Sequence, residues 1–201
     1  MARSITFWFE FASTYSYLSA MRIDDLARES GVEVIWKPFL LGPIFKAQDW
    51  ETSPFSIYPE KGRNMWRDVE RRAERYGLPF NRDAAEALFP QHSVLAARAA
   101  MACLHEPWGR EYCRRVFRAA FVEGLDISNS NTVAHCIEAA GGTDQIYMRA
   151  AHSDRQKAAL RAHTQQAQAL GIFGAPSFIV DEELFWGDDR LEDALDWAKR
   201  N

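Results

Sequence analysis

The sequence has little of what marks several protein classes. Its 201 residues contain three cysteines, eight prolines and eleven glycines, too few for a disulfide-stapled or collagen-like protein. Basic residues number 24 against 28 acidic ones, a formal charge of −4, and no basic stripe suggests nucleic acid as a partner. No apolar run approaches the roughly 18 residues of a membrane helix, and the N-terminal segment lacks the apolar core of a signal peptide. We therefore expect a cytoplasmic protein that binds neither nucleic acid nor a membrane.

Apolar and aromatic residues, in contrast, are abundant. Hydrophobic residues make up 47% of the chain and aromatic residues 13%, which can build a sizeable core in a protein of about one domain. The aromatic content suits either a large aromatic core or a site for a flat apolar ligand. The three cysteines, Cys103, Cys113 and Cys136, lie in helical patterns at spacings that match neither a zinc site nor a Cys-x-x-Cys pair. We expect them to be buried core residues without a catalytic role.

Strand-like patterns occur near the two ends of the chain, and helical patterns fill the middle. Two strands joined by a helix predict a parallel pair, and two strands joined by a short turn near the C-terminus predict an antiparallel hairpin. We therefore predict an α/β protein with a thioredoxin-like core of the DsbA type, formed by residues 1–40 and 171–201, and a large all-helical insertion over residues 41–170. The predicted strands are 4–11, 32–37, 177–180 and 184–186, and the predicted helices are 15–29, 60–76, 92–104, 108–123, 131–140, 154–170 and 189–199.

The segment Ser13-Thr14-Tyr15-Ser16 follows the first strand, where a thioredoxin-type enzyme carries Cys-x-x-Cys. Two serines cannot exchange electrons, so the segment argues against a dithiol oxidoreductase. The start of a helix stabilises an anion through its free N–H groups, and Ser13 could offer its hydroxyl to a thiolate that a ligand supplies. The alternative is that Ser13 only caps the helix, a common role for serine.

Two segments near the C-terminus are predicted to meet this helix start. Ala175-Pro176 directly precedes a predicted strand, where a thioredoxin-like fold places a cis proline and turns the backbone of Ala175 toward the cleft. An ordinary turn is the alternative. Asp188 and Asp189 follow Gly187 at the start of the last helix. Carboxylates at that position commonly cap the helix, and they could also bind an ammonium group of a ligand.

Five stretches of the chain resemble the 2-hydroxychromene-2-carboxylate isomerase family, relatives of kappa-class glutathione transferases within the DsbA-like thioredoxin superfamily. They follow the family's order and span nearly the whole chain. The resemblance implies a thioredoxin fold of the DsbA/kappa-class type with glutathione as cofactor. The stretches are FWFEFASTYSYL (7–18), KPFLLGPIFKA (37–47), YPEKGRNMWRDVERRAERYGLPF (58–80), FPQHSVLAARAA (89–100) and GIFGAPSFIVDEELFWGDDRLEDAL (171–195).

The resemblance also implies roles for single residues around glutathione. Ser13 matches the family's catalytic serine, which hydrogen-bonds the glutathione sulfur and favours its thiolate. Ala175 and Pro176 match the cis-proline segment, whose backbone pairs with the cysteinyl part of glutathione. Asp188 and Asp189 match positions that hold the γ-glutamyl end.

For the substrate, the resemblance implies contacts from Lys61 and His92. Lys61 matches a lysine of the family's Pro-x-Lys motif, and its compact positive charge suits a carboxylate, although a solvated lysine is the alternative. His92 stands where the family usually has asparagine, Asn64 where an aromatic residue is usual, and Thr14 where proline is frequent. His92 could donate a proton near neutral pH, or it could be a structural histidine.

The activity that the resemblance implies is isomerisation of 2-hydroxychromene-2-carboxylate, or of a related unsaturated aromatic keto acid. A glutathione thiolate would add to a conjugated carbon, rotation about the resulting single bond would follow, and elimination would release the thiol. The alternatives are a kappa-like glutathione transferase, in which the adduct is the product, and a noncatalytic glutathione- or peptide-binding relative of thioredoxin. A homodimer would be compatible with the family.

Overall fold

A mixed four-stranded sheet organises residues 3–200, the part of the chain that this computed structural model describes. Its strands are β1 (Ser4–Phe9), β2 (Glu33–Pro38), β3 (Ser177–Val180) and β4 (Glu183–Trp186), in the order β2-β1-β3-β4. β1 runs parallel to β2, and β3 is antiparallel to both of its neighbours. The predicted parallel pair and the predicted hairpin are both confirmed.

Helices cover the sheet and fill the chain between β2 and β3. A π-helical turn (Ala119–Glu123) extends one of them, and a 3₁₀ turn (Asp188–Arg190) precedes the last. Across residues 3–200 no helix has both the length and the hydropathy needed to cross a membrane. The helices are α1 (Thr14–Ala20), α2 (Ile23–Ser30), α3 (Leu41–Lys46), α4 (Pro54–Ile57), α5 (Pro59–Tyr76), α6 (Arg82–Ala87), α7 (Val94–Cys103), α8 (Gly109–Arg118), α9 (Ser130–Ala140), α10 (Asp144–His152), α11 (Asp154–Ala169) and α12 (Leu191–Ala198).

The structure corrects two predicted elements beside the site. The strand predicted over 4–11 ends at Phe9, because the chain turns and the N–H of Ser13 donates to the carbonyl of Glu10 at 3.0 Å. The helix predicted over 15–29 is two helices, α1 and α2, which meet at Arg22. At this break the Arg22 guanidinium bonds to Asp188 at 3.0 Å, a tertiary contact that no local pattern encodes. The structure also contains four helices that the sequence patterns do not predict: the short helices α3, α4 and α6, and helix α10.

Aromatic side chains join the sheet to the helical segment in one core. Phe9 and Phe11, at the end of β1, lie with ring centroids 5.9 and 4.9 Å from that of Phe117 in α8. Residues of the predicted thioredoxin part and of the predicted insertion therefore share one hydrophobic cluster. The division of the chain into two domains stays a prediction. Residues 1, 2 and 201, which belong to the predicted thioredoxin part, lie outside the described residues.

The three cysteines lie in this core as free thiols. Burial raises the pKa of Cys103 to about 12 and that of Cys136 to about 11, and it raises the pKa of Cys113 as well. Because the thiolate is the reactive form, we expect an aromatic disulfide reagent to label none of them in the folded protein and all three after denaturation. A thiol that reacts in the native protein as fast as a free peptide cysteine would contradict this.

Candidate active site

A cavity of about 780 Å³ opens where the start of α1, the loop before β3 and the turn after β4 meet the helical segment. This volume falls in the range of small-molecule sites. One wall is apolar and comes mostly from elements that the sequence did not predict, α3, α4 and the loop between them. The aromatic side chains on this wall and at the rim are those of Phe45, Trp50, Phe55, Phe89, Phe173 and Trp186.

Ser13 is at the same time a helix cap and part of the cavity wall. Its Oγ accepts the N–H of Ser16 at 3.1 Å and donates to the carbonyl of Ala175 at 2.8 Å. The peptide bond between Ala175 and Pro176 is cis, as the sequence predicted. The start of α1 and the cis-proline loop are therefore held against each other by the Ser13 hydroxyl.

The turn after β4 is tied to the same loop. The N–H of Gly187 donates to the carbonyl of Pro176 at 3.0 Å. Gly187 has a φ of 113°, a backbone conformation that favours glycine. The Asp189 side chain is 47% exposed and pairs with Arg190 at 3.0 Å. Its carboxylate therefore stands at the cavity with only a surface ion pair to compete for it.

Asp188 differs from its neighbour, because its side chain has no exposed surface. Oδ1 accepts from the Ser19 hydroxyl at 2.9 Å and from Arg22 at 3.0 Å. Oδ2 accepts from the Tyr76 hydroxyl at 3.2 Å and from Arg72 at 3.3 Å. With four donors on it, this carboxylate ties the turn to α1, α2 and α5. Although Asp188 lines the cavity, its carboxylate is not a free anion for an ammonium group.

The wall that α5 contributes is polar and internally paired. The Tyr15 hydroxyl donates to Oδ2 of Asp68 at 3.0 Å, and Nε of Arg72 donates to the same oxygen at 3.0 Å. Burial and the nearby Asp68 carboxylate raise the pKa of Tyr15, so its phenol stays protonated as a donor. Sequence patterns assign no role to Asp68 or Arg72, because their i, i+4 spacing predicts a pair but not which face of α5 meets the cavity.

Lys61 and His92 both line the cavity and are exposed there. The Lys61 ammonium lies 4.5 Å from the centroid of the Tyr58 ring. His92 precedes α7 rather than lying inside it as predicted, because that helix begins at Val94. Asn64 is exposed on α5 and is not among the lining residues, so its departure from the family pattern does not alter the cavity wall.

Glu10 is a cavity residue to which sequence reasoning assigned no role. It follows β1, is 5% exposed, and accepts the N–H of Ala12 at 3.0 Å and the hydroxyl of Ser93. Burial raises its pKa to about 7, against the opposing effect of these two hydrogen bonds. The available signal was an acidic residue between Phe9 and Phe11 in an otherwise apolar segment.

Within residues 3–200 no cluster of His, Cys, Asp and Glu could hold a metal ion.

Comparison with known proteins agrees with this architecture. A 2-hydroxychromene-2-carboxylate isomerase from Sphingobium xenophagum is 28% identical, with 96% of each chain covered. A solved 2-hydroxychromene-2-carboxylate isomerase, 22% identical, superposes with a TM-score of 0.85 over 98% of this chain and 95% of that one. The cytosolic disulfide reductase DsbM from Pseudomonas aeruginosa, solved with GSH, is 17% identical and superposes with a TM-score of 0.68 over 97% and 95% of the two chains.

These matches confirm the predicted resemblance and the predicted thioredoxin-like fold. The model of the DSBA-like thioredoxin domain matches residues 4–196, from the first residue of β1 to within α12. The chain therefore belongs to the DSBA-like thioredoxin domain family.

Proposed function

We propose that this protein is a glutathione-dependent isomerase of 2-hydroxychromene-2-carboxylate or a closely related unsaturated aromatic keto acid. The observation that carries the proposal is the place of Ser13: a hydroxyl, not a thiol, stands beside a cis proline at the head of a large aromatic-lined cavity. The names of the relatives support the isomerase class. A serine cannot exchange disulfides, so the reacting sulfur must come with a ligand.

The groups around the cavity complement glutathione, a tripeptide with two carboxylates, one ammonium group and one thiol. The exposed Asp189 carboxylate suits the ammonium group, Lys61 suits a carboxylate, and the backbone of Ala175 suits the cysteinyl amide. The DsbM structure with GSH supports glutathione binding on this fold. Asp188 would act indirectly, by holding the turn that presents Asp189.

Ser13 would activate the bound thiol. Its hydroxyl proton, which now points to the Ala175 carbonyl, can turn to a sulfur in the cavity while its oxygen keeps the N–H of Ser16. A hydrogen bond to the charged form lowers the pKa of a thiol, and the first N–H groups of α1 favour the same anion. When bound, glutathione supplies a thiolate that can add reversibly to a conjugated carbon, which allows rotation about the former double bond.

The remaining wall would bind the substrate. The aromatic side chains of Trp50, Phe55 and Phe89 suit an aryl ring. Lys61 could alternatively pair with the substrate carboxylate, and His92 lies at the rim where it can meet a polar group of the substrate.

Turnover in the presence and absence of glutathione tests the function. The protein is incubated with 2-hydroxychromene-2-carboxylate, and the open-chain isomer and the free thiol are measured together. An isomerase forms the isomer only with glutathione and leaves the thiol concentration unchanged. Accumulation of a glutathione conjugate would instead indicate a transferase, and binding of glutathione without any turnover a noncatalytic relative.

Glutathione should raise the melting temperature in proportion to the logarithm of its concentration once the site is saturated. At 100 times Kd the stabilisation is about 2.7 kcal/mol, because the ligand binds only the folded state. Asp189→Ala should reduce the rise in melting temperature that glutathione causes. Added salt should make this rise more nearly equal in the variant and the wild type. Asp193→Ala is the matched control, since Asp193 pairs with the same Arg190, at 2.7 Å, but lies outside the cavity. Equal weakening by both variants would rule out a direct role of Asp189.

A further inference from the structure

Glu10 and Ser93 form a buried pair that the activation of the thiol does not use. Both side chains line the cavity and both residues are 5% exposed. The Ser93 hydroxyl donates to Oε1 of Glu10, and the other oxygen, Oε2, accepts the N–H of Ala12 at 3.0 Å. Ala12 precedes Ser13, which is assigned to the thiol, and His92 precedes Ser93 and is assigned to the substrate. The Glu10 carboxyl, bonded to both Ala12 and Ser93, therefore lies between the loop that carries Ser13 and the wall assigned to the substrate.

Ser93 makes this contact without capping the helix that it precedes, and its backbone has φ −91° and ψ −1°. It occupies the position before α7 where a serine side chain commonly accepts a backbone N–H of the helix, yet it makes no such bond. The serines at the same position of other helices, Ser13, Ser53 and Ser153, all accept a backbone N–H. The Ser93 hydroxyl is therefore committed to the Glu10 carboxyl and not to the helix.

Glu10 has no cationic partner that would hold it ionised. Within residues 3–200 no ion pair to its carboxyl is present, and the direction of its pKa shift, upward to about 7, follows from burial. A carboxyl with such a pKa can both give and take a proton at neutral pH. The other titratable side chains around the cavity are those of Tyr15, Glu51, Lys61, Asp68, Arg72, His92, Asp188 and Asp189.

We propose that Glu10 is the proton-transfer group of this site and that the Ser93 hydroxyl connects its carboxyl to the oxygen atoms of the substrate. The inference rests on the proposed function. In a 2-hydroxychromene, ring opening breaks the bond between C2 and the ring oxygen, and the electron pair stays on that oxygen. For this step Glu10 is protonated: the Ser93 hydroxyl turns from Oε1 of Glu10 to the ring oxygen and gives up its proton, and the carboxylic acid of Glu10 replaces it. The C2 hydroxyl loses its proton as the carbonyl forms, and this proton returns to Glu10, so none is gained or lost overall.

Glu10→Gln separates proton transfer from structure: its amide oxygen can accept the N–H of Ala12, its amide N–H can donate to the Ser93 hydroxyl oxygen, and the group cannot ionise. We expect turnover with glutathione to fall about 100-fold, within the usual contribution of general acid–base catalysis, and the pH–rate profile to lose its limb near pH 7. Glu51→Gln, at an exposed position of the same cavity, should keep that limb. Ser93→Ala removes only the connection, and it costs no helix cap.

A second readout needs neither glutathione nor substrate. The pKa of Glu10 is raised from 4.5 to about 7 in the folded protein, so ionisation of Glu10 opposes folding. The unfolding free energy of the wild type should therefore decline, relative to that of Glu10→Gln, as the pH rises from 4.5 to about 7. A melting-temperature difference that is constant from pH 4.5 to pH 8 would overturn the inference. So would a Glu10→Gln or Ser93→Ala variant that retains wild-type turnover and the limb near pH 7. A wild-type protein that leaves the chromene unchanged would overturn the proposed function as well.

Discussion

Ser13→Ala should leave the fold intact and reduce glutathione-dependent kcat/KM by about 100-fold, the usual effect of removing one hydrogen-bond donor from a reacting anion. The Ser13 hydroxyl is the side-chain donor that the structure places between the start of α1 and the cis-proline loop. Without it the thiol of bound glutathione should have a higher pKa, because the bond that favours its charged form is lost. The rate should therefore recover in part as the pH is raised.

Ser153→Ala is the matched control for the structural part of this effect. Ser153 precedes α11, accepts the N–H of Gln156 at 3.3 Å and donates to the carbonyl of Ala150 at 2.6 Å, as Ser13 does with its own partners. Each variant should lose about 1 kcal/mol of unfolding free energy with its cap, and only Ser13→Ala should lose activity. Equal activity of the two variants at every pH would reduce Ser13 to a helix cap.

Asp188→Ala should lower the unfolding free energy by about 2 to 3 kcal/mol, because it removes the anion that Arg22 and Arg72 share. Arg22 keeps its pair with Glu192, at 2.6 Å, and Arg72 keeps its pair with Asp68, at 3.0 Å. Arg22 and Arg72 have side chains that are 12% and 26% exposed, so water compensates only part of the loss. For a chain of this size we expect the melting temperature to fall by roughly 10 °C. Glutathione affinity should fall as well, since the turn that carries Asp189 loses its anchor to α1, α2 and α5.

Urea denaturation of Asp188→Ala beside Asp189→Ala measures this difference at adjacent positions of the same turn. Asp189 forms only an exposed pair with Arg190, and removing such a pair changes stability by about 1 kcal/mol or less. A variant of Asp188 that is no less stable than the variant of Asp189 would show that the four-donor arrangement contributes nothing to the fold.

Much of the thioredoxin part could be predicted from the sequence, because its signals are local. The strand-helix-strand order at the N-terminus, the hairpin after Pro176 and the helix start at Ser13 each lie within a short segment. The fold that this order of elements implies brings these segments together at one site. The hydrogen bond from the Ser13 hydroxyl to the Ala175 carbonyl, 162 residues away in the chain, agrees with that prediction.

What the sequence could not predict depends on distant partners. Glu10 faces Ser93 over a separation of 83 residues, and Arg72 reaches Asp188 over 116. Nothing in the pattern around Asp188 distinguishes it from Asp189, yet one carboxylate is enclosed by donors and the other is half-exposed. The aromatic wall was missed for a different reason: α3 and α4 have six and four residues, too few for helical periodicity to be recognised.

The ultraviolet absorbance of thiolate, titrated with pH in the complex of the protein with glutathione, measures whether the site activates the sulfur. A free cysteine thiol has a pKa of about 8.5. We expect bound glutathione to form its thiolate at a lower pH than free glutathione in wild-type protein and in Ser153→Ala, and to return toward the free value in Ser13→Ala. Bound glutathione that titrates like free glutathione in the wild-type protein, with no change on removing the Ser13 hydroxyl, would contradict the proposed function at its central step.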